Sequence, residues 1–235
     1  MTVSDIVIEV VRKDIKNLHI GVYPPDGRVR VATPLLVDDE AVRLAVISRL
    51  EWINRQRYMF QEQERQSVRE YISKESHYFQ GRRYLLEIIN TDREGKVVLK
   101  NNTMKLHVPK GSDVSQRERV LLQWYRRELR TSAAPIVEKW SQRLNVDLKE
   151  YRIRRMKTKW GSCNPQAKRI WLNLELVKKP LHCLEYIIVH ELIHLLERNH
   201  NERFQALMDE HMPQWRSYRE ELNRKPLAHE EWNSD

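Results

Sequence analysis

Hydrophobic and polar residues alternate with a period of two near the start of the chain. Apolar side chains recur at every second position across residues 6–10 and 18–22, and Val29 and Val31 resume the alternation after a turn at Pro24–Gly27. Such alternation over about four to eight residues is typical of a strand with one buried face. The pattern therefore predicts three short strands in this section.

Helical spacing replaces the alternation from Asp38 onward. Acidic residues suit the positive end of a helix dipole, and the apolar residues between positions 42 and 53 recur three or four positions apart. A second group of strands is predicted within residues 84–108. A long helix is predicted over Ser115–Leu144, with an interruption near Pro135 as an alternative.

The last third of the chain changes from strands to helices. Tyr151–Met156 and Arg169–Leu174 have the pattern of strands, and Trp160–Pro165 between them is predicted to be a loop. After Pro180 the spacing is helical throughout. Neither an internal repeat nor a low-complexity tract is evident in the sequence. The order of the elements predicts an α+β fold.

The predicted elements fall into two sections of different character. A β-rich section with one helix is predicted for residues 1–112, and a second domain is predicted for residues 113–235. The chain has 235 residues, of which 40% are hydrophobic, so it has enough apolar surface to form a core.

Composition excludes several classes of protein. The six glycines are never spaced as in a dinucleotide-binding motif, a phosphate-binding P-loop or the nucleophile elbow of serine hydrolases. Two cysteines are too few for a disulfide framework. No signal peptide and no apolar run of about 20 residues is visible, which predicts a cytoplasmic protein without a membrane span.

Positive charge is concentrated in the middle of the chain. The formal net charge is +9, and residues 115–169 hold 15 basic and 5 acidic side chains. The basic residues are densest at Arg152–Lys159. This stretch is interpreted either as a solvated strand face or as a binding track for nucleotide, nucleic acid or an acidic substrate.

The strongest chemical signal is the motif His190-Glu191-Leu192-Ile193-His194. Residues four positions apart lie on one face of a helix, so His190 and His194 can bind a single ion. Glu191 lies beside that face, where it can contact a water rather than the ion. The apolar residues before the motif predict a buried helix, in which unpartnered polar side chains would be costly. A metal ion removes that cost.

A catalytic zinc site usually has three protein ligands and one open position. His200 is the best third candidate, provided that the helix ends first near Arg198–Asn199. Four acidic residues remain alternative third ligands: Glu197, Glu202, Asp209 and Glu210.

Residues 160–204 resemble the YgjP-like metallopeptidase family, a zincin relative of the SprT-like and WLM proteins. The resemblance is carried by Trp160-Gly161-Ser162-Cys163, Arg169–Asn173, Pro180, the motif at 190–194, Asn199-His200 and Phe204. Softer matches in the N-terminal half include Trp52-Ile53 and Tyr78–Tyr84. The resemblance implies a zincin-like minimal metallopeptidase domain, with Zn²⁺ bound by His190, His194 and His200 and with Glu191 as the general base.

These observations predict a zinc-dependent hydrolase, most simply a metallopeptidase that acts on peptides or proteins through a zinc-activated water. An extended substrate is expected to pair with the strand Arg169–Leu174, as in other zincins. Tyr186, Arg198 and His211 are candidates for stabilising the oxyanion. Two alternatives remain: a metal-dependent nucleoside triphosphate pyrophosphohydrolase, and a nucleic-acid-associated metalloprotein that uses Arg152–Lys159.

Overall fold

The computed structural model of the protein describes residues 1–23, 27–62, 69–156 and 159–224. The chain forms two compact units, the first within residues 1–67 and the second within residues 68–227. Most of the predicted turn at Pro24–Gly27, and Lys157 in the basic stretch, lie outside the described residues. No described helix is long and apolar enough to cross a membrane.

The first unit is a four-stranded sheet with two helices. Its elements are β1 (Thr2–Val3), β2 (Ile6–Lys13), β3 (His19–Tyr23), β4 (Arg28–Pro34), α1 (Asp39–Ile47) and α2 (Leu50–Glu62). The strand order is β1-β2-β4-β3, in which β2 and β4 are parallel and the other pairs are antiparallel. Val31, Val42, Val46 and Ile53 are wholly buried and close a separate small core. The three predicted strands are therefore confirmed here, whereas the single predicted helix is wrong in one respect, because it is divided into two helices between Ile47 and Leu50.

The second unit begins with the same strand topology. Its first elements are β5 (Ser76–Phe79), β6 (Arg82–Asn90), β7 (Lys96–Lys100), β8 (Thr103–Val108) and α3 (Val114–Arg143). The order β5-β6-β8-β7 repeats that of the first sheet, again with one parallel pair, β6 and β8. The expectation of no internal repeat is therefore wrong for the topology. The two sheets share a pattern of buried positions rather than an evident similarity of residues, so the repeat is hidden in the sequence.

Helix α3 runs through Pro135 without interruption. A proline in a helix removes one backbone donor, but buried residues continue on both sides of it, at Leu129 and Ala133 before it and at Val137 and Trp140 after it. Packing of this continuous apolar face offsets the lost hydrogen bond. The predicted helix is confirmed, and the alternative of an interruption is not.

A three-stranded sheet, one 3-10 helix and three further α-helices complete the described part of the second unit. They are β9 (Glu150–Arg154), β10 (Gly161–Asn164), β11 (Arg169–Asn173), a 3-10 helix (Leu174–Lys178), α4 (Leu181–Ile193), α5 (Glu202–His211) and α6 (Trp215–Arg224). The fold is therefore α+β, with a β-rich N-terminal region followed by helices. The expected loop at Trp160–Pro165 contains the strand β10, because β11 offers it an edge for pairing.

The predicted division into residues 1–112 and 113–235 remains a prediction. In the structure, the segment between β8 and α3 joins two elements that pack against each other within the second unit. The large core of that unit includes buried residues of β8, α3 and α4, for example Leu106, Leu129 and Ile188. A division based on packing would therefore fall earlier in the chain than residue 112.

Candidate metal centre

Three histidine side chains converge at the end of α4. The Nε2 atoms of His190 and His194 are 3.2 Å apart, those of His194 and His200 are 3.1 Å apart, and those of His190 and His200 are 3.0 Å apart. These three residues form a group in which one ligand atom from each could hold a single metal ion. The structure thus brings together the three residues named from the sequence.

The chain turns back immediately after the motif. Helix α4 ends at Ile193, earlier than the predicted end at Arg198–Asn199, and His194 is its C-terminal cap. The early end allows the following turn to carry His200 towards the other two imidazoles. Helix α5 then begins at a side-chain cap, in which Asn201 accepts a hydrogen bond of 3.0 Å from the backbone N–H of Phe204.

Phe204 packs against all three imidazoles. Its ring centroid lies 5.0 Å from that of His190, 4.8 Å from that of His194 and 4.7 Å from that of His200. Phe204 is 2% exposed, so its ring forms a buried apolar surface against the three histidines. Sequence reasoning noted Phe204 as part of a motif but gave it no role in the site.

The tautomer of His194 follows from its backbone partner. Its Nδ1 lies 3.0 Å from the carbonyl oxygen of Glu197. A carbonyl oxygen can only accept, so Nδ1 must donate and carry the proton in the neutral ring. The lone pair of Nε2 is then directed at the other two histidines, as a metal ligand requires.

All three histidines favour the neutral state. Burial, together with the neighbouring His194 and His200, lowers the pKa of His190 to about 3. Burial also lowers the pKa of His194, although its bond to the carbonyl of Glu197 opposes this effect. The pKa of His200 is lowered by burial and by His194. Neutral imidazoles are the form that binds a metal ion.

The donor set fits a divalent transition metal. Ligand atoms about 2.0–2.1 Å from a tetrahedral Zn²⁺ lie about 3.3 Å from one another, close to the observed separations of the three Nε2 atoms. Imidazole suits Zn²⁺ and several neighbouring ions. Three neutral nitrogen atoms at such short distances would otherwise place lone pairs against one another, and a shared cation relieves this repulsion.

Glu191 lies next to the cluster and is 5% exposed. Burial raises the pKa of its carboxyl group to about 8, and the positive charge of Lys159 opposes the shift. Strand β10 encloses the side chain, because a Cβ atom at Gly161 would lie only 2.5 Å from Oε1 of Glu191. The carboxylate therefore lies between the motif helix and the edge of the sheet.

A cleft of about 610 Å³ opens onto the three histidines and Glu191. It is lined on one side by β10 and on the other by α4 and the turn that follows. The strand expected to pair with substrate, Arg169–Leu174, largely corresponds to β11. That expectation is wrong, because β11 is the central strand, with β10 on one side and β9 on the other.

The strand that borders the cleft is β10. The N–H of Asn173 on β11 donates to the carbonyl of Trp160 at 2.9 Å. Hydrogen-bonding directions alternate along an antiparallel pair, so the backbone groups of Gly161 and Cys163 point away from β11. They face the side on which the cleft lies.

Asn173 holds the start of β10 in place. Its side-chain amide donates to the carbonyls of Met156 at 2.9 Å and Lys159 at 2.8 Å, and its oxygen accepts from the N–H of Met156 at 3.3 Å and that of Glu175 at 3.2 Å. The residue is wholly buried. One asparagine thus connects the entry to β10 with the end of β11.

The other candidates named from the sequence are placed differently. Tyr186 and Arg198 line the cleft, whereas His211 is not among the described residues that line it. None of the four acidic alternatives for the third ligand groups with the two motif histidines among the described residues: Glu197, Glu202, Asp209 and Glu210. Arg219 on α6 lowers the pKa of both His190 and His200 through its charge. No sequence pattern linked α6 to the motif.

Most of the described basic stretch is engaged within the fold. Arg152 donates to Glu150 at 2.8 Å, Arg154 lies 4.6 Å over the ring of Trp171, and Arg155 lies 3.5 Å from Glu118. Lys159 differs, since it lines the cleft. These contacts favour a structural role for the stretch.

The fold and the site define a metal-dependent peptidase. The family described as "YgjP-like, metallopeptidase domain" matches residues 16–225, and the chain belongs to this family. No curated protein matched the chain. None of the comparisons supports a nucleic acid partner.

Two solved structures resemble part of the chain. The metallopeptidase zymogen abylysin of Pyrococcus abyssi shares 19% identity, with 40% of this chain and 95% of that chain covered and a TM-score of 0.38. The metallopeptidase zymogen jannalysin of Methanocaldococcus jannaschii shares 26% identity, with 37% of this chain and 90% of that chain covered and a TM-score of 0.34.

Proposed function

We propose that the chain is a zinc-dependent peptidase, in which His190, His194 and His200 hold Zn²⁺ and Glu191 is the general base. The observation that carries the proposal is the approach of three Nε2 atoms to within 3.2 Å of one another, at the mouth of a cleft bordered by a strand edge. Zn²⁺ bound there would supply a Lewis acid that activates water near neutral pH and polarises a carbonyl group.

The substrate is an extended peptide that pairs with β10. The backbone N–H and C=O groups of Gly161 and Cys163 point away from β11 and can form a further ladder of hydrogen bonds. Such pairing fixes the peptide through its main chain and depends little on its side chains. It places the scissile bond beside the carboxylate of Glu191.

Glu191 accepts the proton of the attacking water and delivers it to the leaving nitrogen. Its buried position raises its affinity for a proton, and a cation held by the histidines would lower that affinity again. A base whose pKa lies near the working pH transfers protons most effectively. The hydroxyl of Tyr186, whose pKa burial raises to about 12, stays protonated and is our candidate for donating to the developing oxyanion.

A carboxylate-to-amide substitution tests the role of the general base. Glu191→Gln is expected to lower kcat by about 10²–10⁴-fold and to leave the metal content unchanged. Glu185→Gln is the matched control, because Glu185 lies on the same helix and its carboxylate bonds Lys139 and Trp140 rather than facing the cleft. Unchanged peptide cleavage by Glu191→Gln would contradict the proposal.

Elemental analysis tests the ligands and the metal. His200→Ala is expected to lose most of its bound metal, whereas His107→Ala, on β8 of the same unit and in neither group of described residues that could hold a metal ion, is expected to keep it. Full occupancy in His200→Ala would refute the third ligand. The metal recovered from wild-type protein identifies the native ion.

The cations that line the cleft favour a second candidate substrate. Lys159 and Arg198 are exposed at the site and would attract the phosphates of a nucleoside triphosphate. A panel of nucleotides run beside a panel of peptides separates a pyrophosphohydrolase from a peptidase.

We also place the protein in the cytoplasm, an assignment supported by the free thiols of Cys163 and Cys183.

A further inference from the structure

Gly161 on β10 lies at an unusually close contact with the motif helix. A Cβ atom built at this glycine would lie 2.5 Å from Oε1, 2.7 Å from Cγ and 2.9 Å from Cδ of Glu191. Ordinary contacts between carbon and its non-bonded neighbours are about 3.5–4.0 Å. No side chain larger than hydrogen fits between the strand and the carboxylate as they stand.

The backbone does not explain the glycine. The φ angle of Gly161 lies outside the left-handed region, unlike those of Gly27, Gly81 and Gly111. Any L-residue could adopt its conformation as an ordinary member of a strand. The physical reason for glycine at this position is therefore the space that Glu191 occupies.

The surrounding core limits movement of the helix and of the strand at this contact. Glu191 is 5% exposed, and its neighbours on α4, Val189 and Leu192, are wholly buried in the core. Gly161 is paired in register with Leu172, which is also wholly buried. The helix and the sheet are thus both fixed, and any displacement caused by a methyl group must be taken up by the Glu191 side chain.

We propose that Gly161 is a positioning residue for Glu191: the absence of a side chain on β10 sets where the carboxylate lies relative to the three histidines. The inference rests on the proposed function for its catalytic consequence. Its geometric part stands independently, because the contact exists whether or not Glu191 acts as a base. Gly161 has no side chain with which it could contact a reacting atom.

The kinetic test is Gly161→Ala in two backgrounds. In the wild type, the substitution is expected to lower kcat at least tenfold, with KM within about twofold and the metal content unchanged, because the carboxylate is displaced while the peptide-binding edge remains. In Glu191→Ala, which lacks the three atoms that a Cβ at Gly161 would overlap, Gly161→Ala is expected to change the residual kcat less than twofold. Equal losses in both backgrounds would overturn the proposal.

A second test needs no activity. The melting temperature of the metal-free protein is expected to fall by several degrees with Gly161→Ala in the wild type, and by less than one degree in Glu191→Ala, where the overlapping atoms are gone. Gly111→Ala is the matched control. A Cβ at Gly111 meets nothing within 4 Å, although φ is +78°, so its cost should be the same in both backgrounds.

The outcomes separate the two proposals. If Gly161→Ala does not fold but Gly161→Ala/Glu191→Ala does, the contact is confirmed; if neither folds, the positioning role is refuted. Equal melting shifts in both backgrounds also refute it. If the shifts differ but kcat is unaffected while Glu191→Gln is inactive, Gly161 only makes room and the inference fails. If Glu191→Gln is fully active, the proposed function fails, whatever the melting data show.

Discussion

Residues 1–62 and residues 76–143 share one arrangement of four strands and a following helix, but among the described residues only the second region shares a buried core with α4. In both, a tight turn with two positive φ angles joins the first strand to the second, at Ser4-Asp5 and at Gln80-Gly81. In both, the second and fourth strands are parallel. The similarity lies in topology and in the order of buried positions.

Three pairs of matched residues show how closely the regions correspond. Pro34 is the last residue of β4 and Pro109 directly follows β8. Asp38 and Asp113 cap the following helix, and Val46 and Leu121 are buried on it. The distance in sequence between the two members is the same for all three pairs. A constant separation through strand, turn and helix indicates that one structural plan is used twice.

The difference between the regions lies in what their helices cover. In the first, the helix stops at Ile47 and a second begins at Leu50, and the buried side chains close a core of their own. In the second, α3 continues without a break, and residues such as Tyr125 and Trp140 share a core with α4. The same plan closes its own core in the first region, whereas in the second it shares a core with the helix that carries His190 and His194.

The sharpest test of this difference is a matched pair of core truncations. Ile8 and Leu86 are both 2% exposed and pair with the corresponding residues Val29 and Met104. Each change to alanine should cost about 2–5 kcal/mol of local unfolding free energy. Leu86→Ala is expected to lower the temperature at which activity and bound metal are lost, whereas Ile8→Ala leaves both unchanged. Equal loss of metal in the two variants would show that the cores are coupled.

The matched turns provide a second comparison. Asp5 carries a side chain at φ 64°, but a Cβ at Gly81, where φ is +80°, would lie 2.8 Å from the ring of Pro180, just before α4. Gly81→Ala is expected to cost about 2–4 kcal/mol from backbone strain and overlap, whereas Asp5→Gly should change stability by less than about 1 kcal/mol. Chemical denaturation measures both. Equal costs would mean that the contact with Pro180 is unimportant.

Much of the local structure could be predicted because it depends on patterns within a few residues. Alternation predicted three strands of the first region, and further strands were predicted within residues 84–108, but β1 (Thr2–Val3) and β5 (Ser76–Phe79) were not among them. The spacing of His190 and His194 predicted that both lie on one helix face. The motif was informative because its chemistry demands nearby partners. The prediction of His200 as the third residue of the group required only that the helix end within a few residues of His194.

The remaining features depend on contacts that are distant in sequence. Strand β10 has the sequence Gly-Ser-Cys-Asn, which has low strand propensity, and it forms because β11 offers an edge. The early end of α4 at Ile193 has no glycine or proline to mark it. The position of Arg219 near the histidines arises from packing of α6, which no spacing along the chain reveals. Tertiary context decides all three.

The pH dependence of stability should also distinguish the regions. His77, on β5, is 4% exposed, and burial lowers its pKa to about 3, aided by the charges of Arg69 and Lys178. Between about pH 6.5 and 3 the unfolded chain binds a proton that the folded chain does not, so stability falls as the pH falls. The contribution of one such group is at most about 1.4 kcal/mol per pH unit.

His77→Phe removes this titration and keeps a ring beside Tyr71. The difference in unfolding free energy between wild type and variant, measured by denaturation from pH 7 to pH 4, should shift in favour of the variant as the pH falls. A difference that is independent of pH would contradict the assignment to His77. The first region has Met1 at the corresponding place before its tight turn, so no such buried histidine contributes there.

The helix caps should show the smallest difference. Asp38 accepts one hydrogen bond of 2.7 Å from the N–H of Ala41, whereas Asp113 accepts one of 2.7 Å from Gln116 and also donates its own N–H to the Gln116 side chain at 3.1 Å. Asp38→Ala is expected to cost about 1 kcal/mol, and Asp113→Ala about 1–2 kcal/mol, because only the second breaks a reciprocal pair. Gln116→Ala removes only the return hydrogen bond to the N–H of Asp113, so it should cost part of the unfolding free energy that Asp113→Ala costs. A larger loss for Asp38→Ala than for Asp113→Ala would contradict this prediction.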